Sequence, residues 1–249
     1  MNSAIKLSSP HADARRRIIV ALDVDNEQDA LAIAKQLRDS VGAFKVGLQL
    51  FTAGGPHMVR RLVDDGIKVF LDLKFHDIPN TVSAASVEAA KLGVWMFNMH
   101  ASGGSAMMRA AVEHVNDHCQ QHDLVRPIMI GVTLLTSSNA ESESEQGITE
   151  GVSARVARLA KLTADSGLDG VVASAREVGL IRNAVPKADF LTVTPGIRSV
   201  SSATVDDQKR VTTLRAALSA GSDYVVIGRP IIGSTDRPAA VDRLLEEIQ

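Results

Sequence analysis

Val69-Phe70-Leu71-Asp72-Leu73-Lys74-Phe75-His76-Asp77-Ile78-Pro79-Asn80-Thr81 runs from a buried strand into a charged tip and then a loop. Strand side chains alternate faces, so Asp72 and Lys74 are expected on one side and Leu73 on the other. Asp77 falls beyond the strand, from where it is expected to turn back toward the lysine. Two carboxylates around one ammonium favour the charged amine, which suits a fixed cation and proton donor better than a general base. Schiff-base chemistry needs a neutral amine and fits less well. On these residues alone, a salt-bridged strand end without catalysis stays open as the other reading.

The same unit, a short apolar strand followed by an amphipathic helix, recurs along the chain. Strands are expected at 18–22, 43–47, 68–73, 95–99, 127–132, 170–173, 190–193 and 224–227. Helices are expected at 27–38, 56–65, 82–92, 105–114, 149–166, 176–185, 210–219 and 238–248. Val156, Leu159, Ala160 and Thr163 recur at helical spacing against Arg155, Arg158 and Lys161. Gly66, Gly93, Gly167 and Gly221 stand where helices end before the next strand. The strands are too apolar for a sheet with one wet face, which implies a parallel sheet covered by helices. Eight such units in about 250 residues fit a single-domain (β/α)8 or TIM barrel over 17–249. An open doubly wound sheet is the alternative, but no Gly-x-Gly-x-x-Gly follows the first strand. Residues 1–16 read as a disordered or loosely packed extension, with no apolar run resembling a secretory signal. The polar segment 137–146 reads as a solvated surface loop.

At 249 residues, 45% hydrophobic and 22% charged, the composition is that of ordinary globular material. Net charge is −2 and aromatics make up 3%, which favours neither nucleic-acid attraction nor base stacking. No apolar run approaches a membrane span. The single cysteine, Cys119, cannot form an internal disulfide; it suits a reducing, cytoplasmic setting, and its polar neighbours give no sign of activation.

In a barrel the active site lies at the C-terminal strand ends. There the chain places Asp23, Lys45, the Asp72/Lys74/Asp77 group, His100 and Ser102, Thr136 and Ser137, Arg198, and Gly228-Arg229. Gly228-Arg229 after the last strand matches the usual phosphate position: glycine permits close backbone approach and arginine offers a planar fork. Residues 197–209 read as a polar lid. His114, His118 and His122 share a helical spacing but lie away from the strand tips, so a solvated face is expected there and no metal site.

These residues, in order, resemble one family. The carriers are 72–81 with Leu22-Asp23, Phe44-Lys45-Val46-Gly47, Val193-Thr194-Pro195-Gly196-Ile197-Arg198 and Val226-Ile227-Gly228-Arg229-Pro230-Ile231. Together they are similar to the orotidine 5′-phosphate decarboxylases of the bacterial type. The Asp-x-Lys-x-x-Asp core is shared with sugar-phosphate decarboxylases of the same superfamily; the flanking Phe-His and Ile-Pro-Asn-Thr resemble the orotidylate group. The resemblance implies conversion of orotidine 5′-monophosphate to uridine 5′-monophosphate and carbon dioxide, without metal or organic cofactor. It implies Lys74 as proton donor to C6, Asp72 against the departing carboxylate, and Asp23 and Lys45 at the ribose hydroxyls. Asp77 and Thr81 would reach the partner's site in a homodimer. Thr136 or Ser137 would contact the pyrimidine, and Gln208, Gly228 and Arg229 the phosphate, with Arg198 anchoring the start of the lid. A metal-dependent sugar-phosphate decarboxylase or epimerase, and a non-catalytic nucleotide-binding protein, remain the competing readings.

Overall fold

The structure, a computed structural model, describes residues 10–198 and 212–248. Its elements begin with α1 (Pro10–Arg17), β1 (Ile18–Ala21), α2 (Glu27–Leu37), β2 (Ala43–Gly47), α3 (Leu48–Asp64), β3 (Val69–Phe75) and α4 (Pro79–Lys91). Next come β4 (Met96–His100), α5 (Gly104–Gln121), β5 (Ile128–Val132), α6 (Ala140–Glu145), α7 (Val152–Asp165), β6 (Gly170–Val172) and α8 (Val178–Ala184). The chain continues through β7 (Leu191–Thr194), β8 (Ile197–Arg198), β9 (Thr212–Thr213), α9 (Leu214–Ser219), β10 (Tyr224–Ile227), α10 (Arg229–Ile232) and α11 (Arg237–Glu246).

Eight of the strands close into a parallel barrel in the order β1-β10-β7-β6-β5-β4-β3-β2, while β8 and β9 pair apart from it. The closed barrel, not the open sheet, is therefore the fold. The period-2 alternation sorts each strand into two cores. Ile18, Val20, Phe44, Val46, Val69, Leu71, Phe97 and Val225 face the helices. Ile19, Ala21, Ala43, Phe70, Met96, Ile130, Val193 and Val226 fill the barrel interior. Continuing the inward phase by two residues leads from Ala43 to Lys45, from Phe70 to Asp72 and from Met96 to Asn98. The polar site is thus the next layer of the interior, raised above apolar layers by the strand repeat itself.

The four glycines read as helix ends all adopt left-handed φ, from 75° at Gly93 to 94° at Gly221. Other boundaries differ. Helix α3 starts at Leu48, ahead of the expected 56, and bends at Gly55, whose φ of 65° interrupts it just before Pro56. Of the expected loose extension, residues 10–16 belong to α1: Ala14 is buried in the core, Arg15 pairs with Asp242 at 2.5 Å, and Arg17 donates to the carbonyls of Asp223 and Ser222. The segment read as a solvated loop contains α6, which Asn139 caps by accepting from the Ser142 N–H at 2.9 Å. Its Glu143 is buried and ion-paired with Arg155 of α7 at 3.1 Å, so that charge serves packing between two helices. Of the expected lid, 199–209 lies outside the described residues; its flanks, Ile197 and Thr212, pair through β8 and β9. No helix among the described residues is long and apolar enough to cross a membrane.

Candidate active site

Strand β2 supplies Lys45, whose ammonium lies 3.3 Å from Asp23 Oδ1 after β1 and 3.3 Å from Asp72 Oδ2 on β3. The other oxygen of Asp72 takes the Lys74 ammonium at 2.7 Å. Asp23, Lys45, Asp72 and Lys74 thus form an unbroken chain of alternating charge. Two small residues make room for it. A Cβ on Gly47 would stand 3.0 Å from the Lys45 Nζ, and one on Gly228 would stand 3.2 Å from Asp23 Oδ2.

Asp72 is the buried centre of this chain, at 9% exposure. Burial alone would raise its carboxyl; Lys45, Lys74 and hydrogen bonds from Lys74 and Asn98 outweigh that and hold it below the ordinary carboxylate range. It therefore stands as a fixed anion at neutral pH. Lys74 does not reach it by plain strand alternation. Its backbone is left-handed, with φ of 53°, a conformation that strains a non-glycine residue by roughly 1–2 kcal/mol. Its N–H is accepted by Asn98 Oδ1 at 2.8 Å.

These groups line a cavity of about 210 Å³ at the C-terminal mouth of the barrel. Thr136, Arg198, Gly228 and Arg229 join them there, with Leu134, Pro195 and Ile197 as apolar lining. Burial, then the Arg229 charge, lowers Arg198 below the ordinary guanidinium value. Two like charges thus meet in one cavity.

Not every expected residue is seen among those that line the cavity. Ser137 is not among the cavity's lining residues, and Gln208 lies outside the described residues. Asp77 does not turn back to Lys74 within its own chain. Among the described residues the lysine's ion pair is with Asp72, and Asp77 Oδ1 accepts the Ile78 N–H at 2.6 Å instead. The loop before α4 turns outward, leaving Asp77, Ile78 and Thr81 exposed, with Ile78 at 65%. His76 is also exposed and rests against His100, ring centres 5.4 Å apart. Burial, then His76 and Lys74, lowers the His100 imidazole against the pull of Asp72, so it is neutral near pH 7.

Sequence reasoning passed over Asn98 and Gly47. The signal for Asn98 was a strand-averse amide inside an apolar strand, a placement that calls for a buried partner.

The sequence profile of the orotidine 5′-phosphate decarboxylase / HUMPS family matches residues 16–244. An orotidine 5′-phosphate decarboxylase of Syntrophotalea carbinolica is 52% identical over 236 residues, 95% of this chain and 96% of that protein. Another, of Geobacter metallireducens, is 51% identical over 94% of this chain and 97% of its own. A crystal structure of orotidine 5′-phosphate decarboxylase from Lactobacillus acidophilus superposes with a TM-score of 0.80 at 36% identity, covering 94% of this chain and 99% of that one.

Proposed function

Because the chain belongs to the orotidine 5′-phosphate decarboxylase / HUMPS family, we infer that it converts orotidine 5′-monophosphate to uridine 5′-monophosphate and carbon dioxide, the last step in making that nucleotide. The observation that carries the mechanism is the alternating chain Asp23–Lys45–Asp72–Lys74 in one cavity. As the bond from C6 to the carboxylate breaks, its electron pair stays on C6 and carbon dioxide leaves. Negative charge moves away from Asp72 toward Lys74, whose ammonium then gives C6 its proton. Fixed charges that need no reorganisation stabilise such a shift strongly. The chemistry asks for no metal or organic cofactor, since an ammonium supplies the cation. Asp23 and Lys45 hold the ribose hydroxyls, and Thr136 rather than Ser137 contacts the pyrimidine, because it lines the cavity.

The phosphate lies with Arg229, Arg198 and the Gly228 backbone, and Gln208 is assigned to it through the resemblance alone. Its binding energy, delivered far from C6, is useful when it drives closure and alignment. The protein works as a homodimer in which Asp77 and Thr81 enter the partner's site. Their exposure beside the apolar Ile78 supports that assignment.

The test follows loss of the orotate chromophore with pure protein in excess chelator, on the nucleotide and on the nucleoside lacking phosphate. Turnover of the nucleotide should survive chelation; abolition by chelator would favour a metal-dependent sugar-phosphate chemistry. Arg229→Ala should lower nucleotide kcat/KM by about 2–4 kcal/mol, the loss of charge-assisted bonds in a partly desolvated place. It should leave the slow nucleoside reaction nearly unchanged. Equal damage to both substrates would move the phosphate away from Arg229.

A further inference from the structure

Strand β3 parts from β4 at the centre of the site. Their register runs Phe70↔Met96 and Leu71↔Phe97, then resumes at Phe75↔Met99. Four residues of β3 thus advance (75 − 71) against two of β4 (99 − 97), leaving Asp72, Leu73 and Lys74 opposite Asn98. A backbone N–H inside such a bulge has lost its ladder partner. Asn98 replaces it with a side chain: Oδ1 accepts the Lys74 N–H at 2.8 Å. The other end of the same amide, Nδ2, donates to Asp72 Oδ1 at 2.7 Å, the oxygen that also takes the Lys74 ammonium. Asn98 is completely buried and is not among the residues lining the cavity.

We propose that Asn98 is a positioning residue for the decarboxylation: it holds the bulge that gives Lys74 its left-handed backbone, and it orients the Asp72 carboxylate between Lys45 and Lys74. The role rests on Lys74 and Asp72 being the groups at the reacting carbon. One amide, by offering an acceptor at one end and a donor at the other, ties the aim of the proton donor to the orientation of the anion. A loss of register of about 1 Å at a reacting group is enough to slow a reaction on the order of 10²-fold.

Two substitutions separate this role from packing. Asn98→Leu keeps the branching and heavy-atom count, with greater bulk, and removes both bonds. Asn98→Asp keeps the shape; its ionised carboxylate still accepts from the Lys74 N–H but meets Asp72 with like charge. Its protonated form donates to Asp72 as the amide does. The charged and titratable groups around it are Asp72 and Lys74 on β3, Lys45 on β2 and His100 on β4, with His76 against His100; β5 presents the apolar Ile130 opposite.

Asn98→Leu should lower kcat on orotidine 5′-monophosphate at least ~10²-fold while affinity for uridine 5′-monophosphate stays within about threefold. Asn98→Asp should be slow at neutral pH, and its activity relative to the unmodified protein should climb as the pH is lowered and the carboxyl pair takes up a proton. A folded, nucleotide-binding leucine variant with kcat within about threefold of the parent overturns the proposal. So does an activity ratio for Asn98→Asp that stays flat with pH, and that ratio decides alone should the leucine variant fail to fold. An unmodified protein inactive on orotidine 5′-monophosphate would instead remove the decarboxylase reading, and this role with it.

Discussion

Lys74→Ala is expected to slow decarboxylation of orotidine 5′-monophosphate by at least ~10³-fold, about 4 kcal/mol of barrier. The change removes both the proton donor and the cation nearest the developing carbanion. It also undoes the 2.7 Å contact that holds one oxygen of Asp72, leaving that buried carboxylate with Lys45 and Asn98 as its remaining partners. An anionic substrate then meets an under-compensated carboxylate, so binding should weaken along with turnover. Steady-state kinetics on the purified variant read both effects. Turnover near that of the parent would rule out Lys74 as the donor.

Asp77→Ala is expected to be nearly as damaging, yet the damage should be repairable in trans. Within one chain Asp77 is exposed and bonds its neighbour's N–H, with no ion pair to Lys74. If it acts across a dimer, Asp77→Ala and Lys74→Ala homodimers are both without a complete site. A mixed dimer has one intact site, built from Lys74 of one chain and Asp77 of the other. Refolding the two variants together in equal amounts should restore about a quarter of parental activity, since about half the dimers are mixed and each holds one working site of two. Mixed dimers that form without regaining activity would place Asp77 outside the partner's site.

The barrel was legible because eight short apolar runs alternate with helical patterns that end at glycines, all local signals. The charged tips were legible because a barrel's site lies at the C-terminal strand ends, where Lys45 and Asp72 stand; the structure adds that both continue the inward phase of Ala43 and Phe70. What escaped depends on contacts remote in sequence. The left-handed backbone of Lys74 is set by Asn98, 24 residues away, and no pattern around position 74 announces it. Gly47 resembled an ordinary strand end until the Lys45 ammonium stood 3.0 Å from where its Cβ would be. Glu143 looked solvated within an acidic run because its partner Arg155 lies one helix further on. The outward turn of Asp77 could not be separated from an inward one by sequence, since a loop residue has no fixed phase.

Whether an ammonium at position 74 donates the proton is decided by removing and chemically restoring that group. Lys74→Cys provides a thiol for alkylation with 2-bromoethylamine, which rebuilds an ammonium of lysine-like reach. The chain's own Cys119 competes poorly, being 4% exposed, with burial pushing its thiol up despite Arg126. Lys74→Cys should be as slow as Lys74→Ala, and alkylation should raise its rate at least about tenfold, toward the parent. Complete alkylation at position 74, verified by mass, with no gain in rate would contradict it.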